Sequence, residues 1–404
     1  MRPDLKNLTP KSTALEHMFD AWQPKAVIEQ IPLAEAKGRI LAEDIFAKYN
    51  LPVVRASTMD GVAVKSEAFA DGMPDTSGWK QGVDFVRADT GDDFDDRFDA
   101  VIAIENVVLT EDGKLSFTGK VNGSKGFNVK PCGADMKAGS MILKKGTLLR
   151  PQDLAVLAMG GHEEIPVRKK PAVSFIPTGS ELVPAGTAPS RGQNIDSNSI
   201  LARELLPDMG AEPLLHPIVA DDPESLERAL DEMLPQSDMV LLNAGTSKGS
   251  EDYCASLLKK RGEIIFQGVA AVPGRPMTAA IIEGKPVINL SGPSFAAFYS
   301  MDWMIRALIC RYLNRPLPLR ETVKATLTDG FTPPPFFSLM ATFRLERGTD
   351  GNYLATPLAL RGPKSAGNAA IMTANGVYVT TVGEGSFHAG DEIEIELMCN
   401  PGDL

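Results

Sequence analysis

Apolar and polar residues follow two different rhythms along this chain, and the change between them divides it. An opening segment, Ala14–Trp22, spaces its apolar residues as an amphipathic helix, with Ser12 or Thr13 placed to cap it. After Leu51 and through about Gly139 the texture changes. Short apolar runs (Val62–Val64, Ala100–Ile104, Lys114–Phe117) are separated by glycines and acidic turns, which predicts strands of a β-rich module. No periodicity links this region to later ones, so the chain contains no internal repeat.

From Pro171 onward strand-like runs alternate with helical stripes. Ala172–Ile176 predicts a buried strand ending at the turn Pro177-Thr178-Gly179, and Ser197-Asn198 opens a helix to about Met209, where Pro207 should kink or shorten it. Leu214–Val219 predicts the next strand. Asp222 as cap, Pro223 in the first turn and the stripe Leu226, Ala229, Leu230, Met233, Leu234 then specify a helix. Strands follow at Asp238–Asn243, Ile264–Gln267, Thr278–Ile282 and Val287–Leu290, with helices at Asp252–Lys260 and Ser294–Leu313. This alternation predicts a mostly parallel, doubly wound sheet covered on both faces, with ligands beyond the carboxyl ends of its strands. After Pro316-Leu317-Pro318 short β segments return, which predicts a small terminal β domain.

Length and charge narrow the picture. A chain of 404 residues exceeds what one core supports and predicts several domains. A net charge of −11 argues against a general nucleic-acid or anionic-membrane binder. The Ser294–Leu313 stretch is interrupted by Asp302, Arg306 and Arg311, which fits a buried helix better than a membrane span. The start carries no apolar targeting segment, and the four cysteines lie far apart with no C-x-x-C spacing, so the expectation is a cytoplasmic protein with reduced thiols.

Three turns in the α/β region suit an anion. Asn243–Tyr253 joins a strand to a helix with Gly245, Thr246, Ser247, Lys248 and Gly249, whose backbone N–H groups could cradle a phosphate; it lacks the Walker A spacing. Val272–Pro276 offers Arg275, and Asn289–Ser294 precedes the long helix. Carboxylates gather at loop ends: Asp135, Glu181, Asp221, Asp222 and Asp252. Several of them converging would hold a divalent cation such as Mg²⁺ against a diphosphate, although Asp222 alone reads as a helix cap and Asp252 as a first-turn charge. The histidines show no metal-ligand spacing.

Ser57-Thr58-Met59-Asp60-Gly61-Val62-Ala63-Val64 resembles the S-A-M-D-G-Y-A-V signature of the molybdopterin molybdenumtransferases, the MoeA type related to the gephyrin E domain. Asp89-Thr90-Gly91, Gly133-Ala134-Asp135, Thr178–Leu182, Asp196-Ser197-Asn198, Asp221-Asp222-Pro223, Gly249–Tyr253 and Pro273–Pro276 match further family motifs in order, from Leu15 to Leu397. The resemblance implies an extended domain (8–50 and 140–168), a β-rich inserted domain (51–139), a molybdopterin-binding α/β domain (169–316) and a C-terminal β-barrel-like domain (317–404). It implies insertion of molybdate into adenylylated molybdopterin with Mg²⁺ and release of AMP, in an elongated homodimer. The adenylylating enzyme of the same pathway and recipient molybdoenzymes are implied as partners. It assigns Asp60, Thr90 and Asp135 to catalysis, and Glu181, Asp221, Asp222 and Asp252 to the metal. Thr178, Gly179, Gly245, Thr246, Ser247, Gly249, Arg275, Ser291 and Ser365 are assigned to the cofactor.

The sequence also departs from the family pattern. Ala244–Gly249 stands for G-G-V-S-x-G, Val272 replaces the first lysine of K-P-G-K-P, Leu290–Ser294 replaces L-P-G-N-P, and Pro363–Ala366 replaces Q-G-S-G. These departures motivate an alternative, a non-catalytic or altered paralogue that carries a molybdopterin derivative, or a tungsten insertase.

Overall fold

The computed structural model describes residues 8–244, 250–348, 351–358 and 368–399, with backbone alone at 250–252 and 368. The chain divides into two compact units, Ile28–Arg168 and Met1–Val27 with Lys169–Leu404.

In the unit Ile28–Arg168, strand Ile28–Pro32 pairs antiparallel with Glu164–Arg168, and Ile45–Phe46 pairs with Met141–Leu143. Ile31, Leu41, Leu149, Leu157, Ile165 and Val167 form the core there. A second set of strands has Gly61–Val64 at its centre, antiparallel to both Phe85–Ala88 and Ala100–Ala103. Val62 and Val64 pack into one cluster with Phe85 and Ile102, while Ala63 packs with Phe98 and Val101 on the other face. Both faces are covered, so the strand reads as a continuous apolar run rather than an alternating one.

Gly61 is required here by space. A Cβ at this position would stand 2.0 Å from the backbone oxygen of Ile102, on a neighbouring strand that cannot swing aside. Gly61→Ala is expected to force the two strands apart and to cost about 2 kcal/mol or more, read as a lower melting temperature. A variant that melts like wild type would contradict this packing.

The other unit holds the α/β layers. Its strands are β1 (Ala172–Thr178), β2 (Glu212–Leu215), β3 (Met239–Ala244), β4 (Glu263–Gln267), β5 (Thr278–Ile282) and β6 (Lys285–Ser291). They lie in the order β2-β1-β3-β6-β5-β4. Only β5 runs against the rest. Helices α1 (Asn198–Met209), α2 (Pro223–Met233), α3 (Ser250–Arg261), α4 (Ser294–Ser300) and α5 (Arg306–Tyr312) cover it. Leu226, Ala229, Leu230 and Met233 of α2 and Cys254, Leu257 and Leu258 of α3 pack on the face carrying Ile176, Leu242 and Val287. Helices α1 and α4 contact β1 and β6 and contribute nothing to that cluster, so they cover the opposite face.

Three local expectations are corrected. The opening helix spans Lys11–Ala21 with Pro10 at its cap position, so neither Ser12 nor Thr13 caps it; Pro10 presets the backbone turn without a side-chain bond. Pro207 lies inside α1 without shortening it, because the helix closes two residues later through a left-handed Gly210 whose N–H reaches the carbonyls of Leu206 and Pro207. The long helix is not continuous. A π-helical turn, Met301–Ile305, separates α4 from α5, and the buried Asp302 within it pairs with Arg306 and Arg320.

Beyond α5, strands Thr322–Leu327, Ser338–Arg347, Tyr353–Leu358, Gly376–Val379 and Glu392–Leu397 close into a five-stranded barrel, the last pairing being Ser338–Arg347 with Gly376–Val379. Phe343, Leu345, Ala355 and Ile395 fill it. Among the described residues no helix is long and apolar enough to cross a membrane.

Candidate active site

The carboxyl ends of β1, β3 and β6 form the floor of the candidate site. After β1 the chain goes outward to β2 and returns to β3 on the other side of β1, so the gap between β1 and β3 is a topological switch point. Register fixes which side chains meet there. Thr178, Ala244 and Ser291 lie in one transverse row, and Ile176, Leu242, Asn289 and Thr278 lie in the row below. Both rows face α2 and α3.

Polar atoms on this floor lack partners. Thr178 Oγ1, Ser291 Oγ and Asn289 Oδ1 are buried without a hydrogen bond, in residues 1%, 6% and 4% exposed. On the opposite face the Asn198 amide, at the start of α1, donates to Asn243 Oδ1 (2.8 Å) and to the Gly292 carbonyl (2.6 Å), while its own Oδ1 is unpartnered. Asn243 Nδ2 donates in turn to the Ser291 carbonyl at 2.9 Å. A buried polar group without a partner costs about 1–3 kcal/mol. Several of them at one set of strand ends is the pattern of a site built to receive polar ligand atoms.

Carboxylates gather beside this floor. Glu181 folds back over Gly179, its carboxylate oxygens 2.8 and 2.9 Å from where a Cβ on that glycine would stand. The Asp221 N–H donates to Ser180 Oγ at 3.0 Å. Burial, then the like charges of Glu181 and Asp222, push the Asp221 carboxyl above its ordinary range. Asp222 caps α2, its Oδ1 accepting the Ser225 N–H at 2.8 Å, and this bond holds its carboxyl below the usual range. Among the described residues, no three His, Cys, Asp or Glu side chains stand close enough to surround a metal ion alone.

The cap and ligand roles of Asp222 can be separated. Asparagine caps as well as aspartate, so Asp222→Asn should keep the melting temperature while Asp222→Ala lowers it. If Asp222 also serves the metal, Asp222→Asn should weaken Mg²⁺ dependence of turnover. Unchanged dependence would leave it as a cap only.

Arg275 is exposed in the turn after Gly274 and pairs with no carboxylate among the described residues. Its carbonyl accepts the Val269 N–H at 2.9 Å, which fixes the turn. Asp252 lies in the first turn of α3. Gly245, Thr246, Ser247, Gly249 and Ser365 lie outside the described residues.

In the unit Ile28–Arg168, Asp60 and Thr90 meet directly. Asp60 is exposed at the start of strand Gly61–Val64, and its Oδ1 accepts the Thr90 N–H at 2.7 Å. That backbone donor, helped by Arg87, keeps the Asp60 carboxyl below its usual range. The loop around Thr90 is tied back by the Gly91 N–H to the Ser57 carbonyl and the Ser57 N–H to the Asp92 carbonyl, both at 2.9 Å. Asp135 instead accepts from Lys130 Nζ, 3.0 Å from each of its oxygens.

The motif reading named Asn198 without assigning it to a ligand, and named Asn243 and Asn289 only as the first residues of two anion-friendly turns. A signal was available: each of the last two follows an apolar run (239–242 and 286–288) near the carboxyl end of its strand, in Met239–Ala244 and Lys285–Ser291.

Residues 9–161 match the MoeA N-terminal region (domain I and II), and residues 174–311 match a probable molybdopterin binding domain. A molybdopterin molybdenumtransferase of Staphylococcus aureus (strain COL) is 28% identical over 97% of this chain and 96% of its own length. One from Bacillus subtilis (strain 168) is 27% identical over 93% and 91%. Among solved structures, a molybdopterin biosynthesis MoeA protein from Pyrococcus horikosii superposes with a TM-score of 0.79 at 27% identity, covering 98% of this chain and all of the other. A tightly ordered motif series, two domain matches in the same order and a shared multidomain fold agree: the chain belongs to the MoeA-type molybdopterin molybdenumtransferase family.

Proposed function

We propose that this protein inserts molybdate into adenylylated molybdopterin, with water cleaving the pyrophosphate bond and AMP leaving. It therefore acts in molybdenum cofactor biosynthesis. The observation that carries the reading is the strand-end floor. A doubly wound domain of this family presents unpartnered hydroxyl and amide groups beside a carboxylate cluster at its switch point. The first suit a polar heterocyclic ligand, and the second suits a cation that neutralises phosphates.

Magnesium fits the donor set. Glu181 and Asp221 supply hard oxygen ligands, and Mg²⁺ takes one or two carboxylates together with waters and substrate phosphates rather than an all-protein cage. Burial, and after it the like charges of Glu181 and Asp222, raise the Asp221 carboxyl, so a cation held between these carboxylates would favour their ionised forms. Glu181 and Asp221 would hold the ion, with Asp252 from the first turn of α3; bound there, it would screen the pyrophosphate. Thr178, Gly179 and Ser291 would contact the cofactor from the floor. Arg275, which pairs with no carboxylate among the described residues, would meet an anionic group, and Gly245, Thr246, Ser247, Gly249 and Ser365 complete the proposed set. Asp60 and Thr90 are proposed to act in catalysis, with Asp135 paired to Lys130 as a third member.

The same reading includes a homodimer. Phe46 and Met141, paired across two strands, and Val156 and Met159 of helix Pro151–Met159 are exposed apolar side chains, as a subunit contact requires. It also includes four modules divided at 51, 140, 169 and 317, supported by separate cores in each part of the chain. The adenylylating enzyme and the recipient molybdoenzymes are the proposed partners. The decisive assay gives the protein adenylylated molybdopterin, molybdate and Mg²⁺ and follows AMP. Release that requires both protein and Mg²⁺ supports the proposal; absence of release with the ligand still bound would replace it with a carrier role.

A further inference from the structure

We infer that Asn289 and Ser291 read the edge of the ligand's heterocycle, the Asn289 carbonyl accepting a ring N–H and the Ser291 hydroxyl donating to an adjacent ring oxygen. This rests on the molybdopterin reading above and adds to it the two residues that select an oxopterin. The two side chains stand two residues apart on β6, hence on one face of the sheet. Both are buried, and Asn289 Oδ1 and Ser291 Oγ have no partner. Their register neighbours are Leu242 and Thr278 for Asn289 and Ala244 for Ser291, with Ile176 and Val287 on the same face. An apolar residue would satisfy the packing at both positions, and a lone polar atom there is unfavourable until something bonds to it. Ala244 lies between Ser291 and Thr178 in the upper row, and Thr178 Oγ1 is also unpartnered. Ser291 is, in addition, one of the positions where this chain departs from the L-P-G-N-P pattern of its family.

The chemistry of the pair chooses the ligand group. An amide carbonyl only accepts, so it requires an N–H or O–H; an ionised phosphate or molybdate would present oxygen to oxygen. A hydroxyl beside it can supply the matching donor. The lactam edge of an oxopterin carries a ring N–H next to a carbonyl, which answers both. Adenine offers an amino group next to a ring nitrogen, a related edge from the other half of the substrate, and the test separates the two.

Wild type, Asn289→Leu and Ser291→Ala would be compared in anaerobic equilibrium dialysis with molybdopterin and, separately, with AMP. Each substitution is expected to weaken molybdopterin binding about tenfold, leave AMP binding unchanged and leave the ligand-free melting temperature equal or higher. Ser291→Ala removes a single oxygen, so it decides the matter if Asn289→Leu folds poorly. Unchanged molybdopterin affinity would overturn the inference, as would a loss of AMP affinity in its place or a wild type that does not bind molybdopterin. AMP release by the wild type is scored independently. A wild type that binds through these residues yet releases no AMP would sink the transferase reading and leave this one standing.

Discussion

Replacing Asp60 by asparagine is expected to leave the protein folded and to cut AMP release by about a hundredfold, the scale on which a charged group at a reacting centre acts. The Asp60 bond to the Thr90 N–H runs through Oδ1, and asparagine keeps that acceptor. The turn therefore survives the change and the protein stays folded. What disappears is the negative charge, which the Thr90 backbone donor maintains by holding the carboxyl below its usual range. Because that shift is downward, the stability this bond gives is present above the ordinary carboxyl range and is lost as pH falls through the lowered one. Wild type should therefore melt slightly above Asp60→Asn at neutral pH, and the two melting curves should converge in acid, where the Asp60 carboxyl is protonated. Near-normal AMP release by Asp60→Asn would leave Asp60 as a residue that only fixes its own turn.

Magnesium is expected to raise the melting temperature of wild type and to leave that of Glu181→Gln almost unmoved. At a free ion concentration about a hundredfold above its dissociation constant, binding to the folded state alone contributes about 2.7 kcal/mol. Asp221 supplies a second sign to check. Its folded carboxyl is raised by burial and by Glu181 and Asp222, so its contribution is most favourable below the unfolded carboxyl's range and is lost as pH rises through the folded one. In metal-free buffer at neutral pH, Asp221→Asn should melt above wild type, and the difference should vanish in acid. Added Mg²⁺ should reverse the order, because only the wild type retains the ligand. Equal Mg²⁺ shifts in wild type and in both variants would remove these residues from the metal site.

Elements specified by local chemistry were legible in the sequence. Helix α2 is the clearest: Asp222 caps it, Pro223 opens it, and Leu226, Ala229, Leu230 and Met233 make the buried stripe, as the spacing predicts. The strand cores and the order of layers followed from the same grammar. The π-turn at Met301–Ile305 was not legible, because the burial of Asp302 depends on Arg320, in a segment beyond the end of the helix. Strand bounds shifted for a similar reason. The expected strand Leu214–Val219 is Glu212–Leu215, fixed by its register with Ala172–Phe175, and Val219 makes only an isolated bridge to Thr178.

The candidate site divides in the same way. Motifs located Asp60, Glu181 and Asp221 by residue type and loop position. They could not show that Asp60 bonds the Thr90 backbone, that Asp135 is paired with Lys130, or that Asn289 and Ser291 lie unpartnered on one face. Those facts come from strands brought together in space, where register decides which side chains share a row. Gly61 illustrates the difference. Residue type alone does not distinguish a glycine needed for a positive φ from one needed for a close approach, and the Ile102 carbonyl beside Gly61 selects the second.

The most direct test of the account is reconstitution. Purified protein would be mixed with adenylylated molybdopterin, molybdate, Mg²⁺ and a molybdenum-free recipient enzyme, and both AMP and the recipient's recovered activity would be measured. The account predicts one AMP released for each recipient molecule activated, with neither product formed when protein, molybdate or Mg²⁺ is omitted. Recipient activation that proceeds equally well without this protein, or bound ligand that is never hydrolysed or transferred, would contradict it.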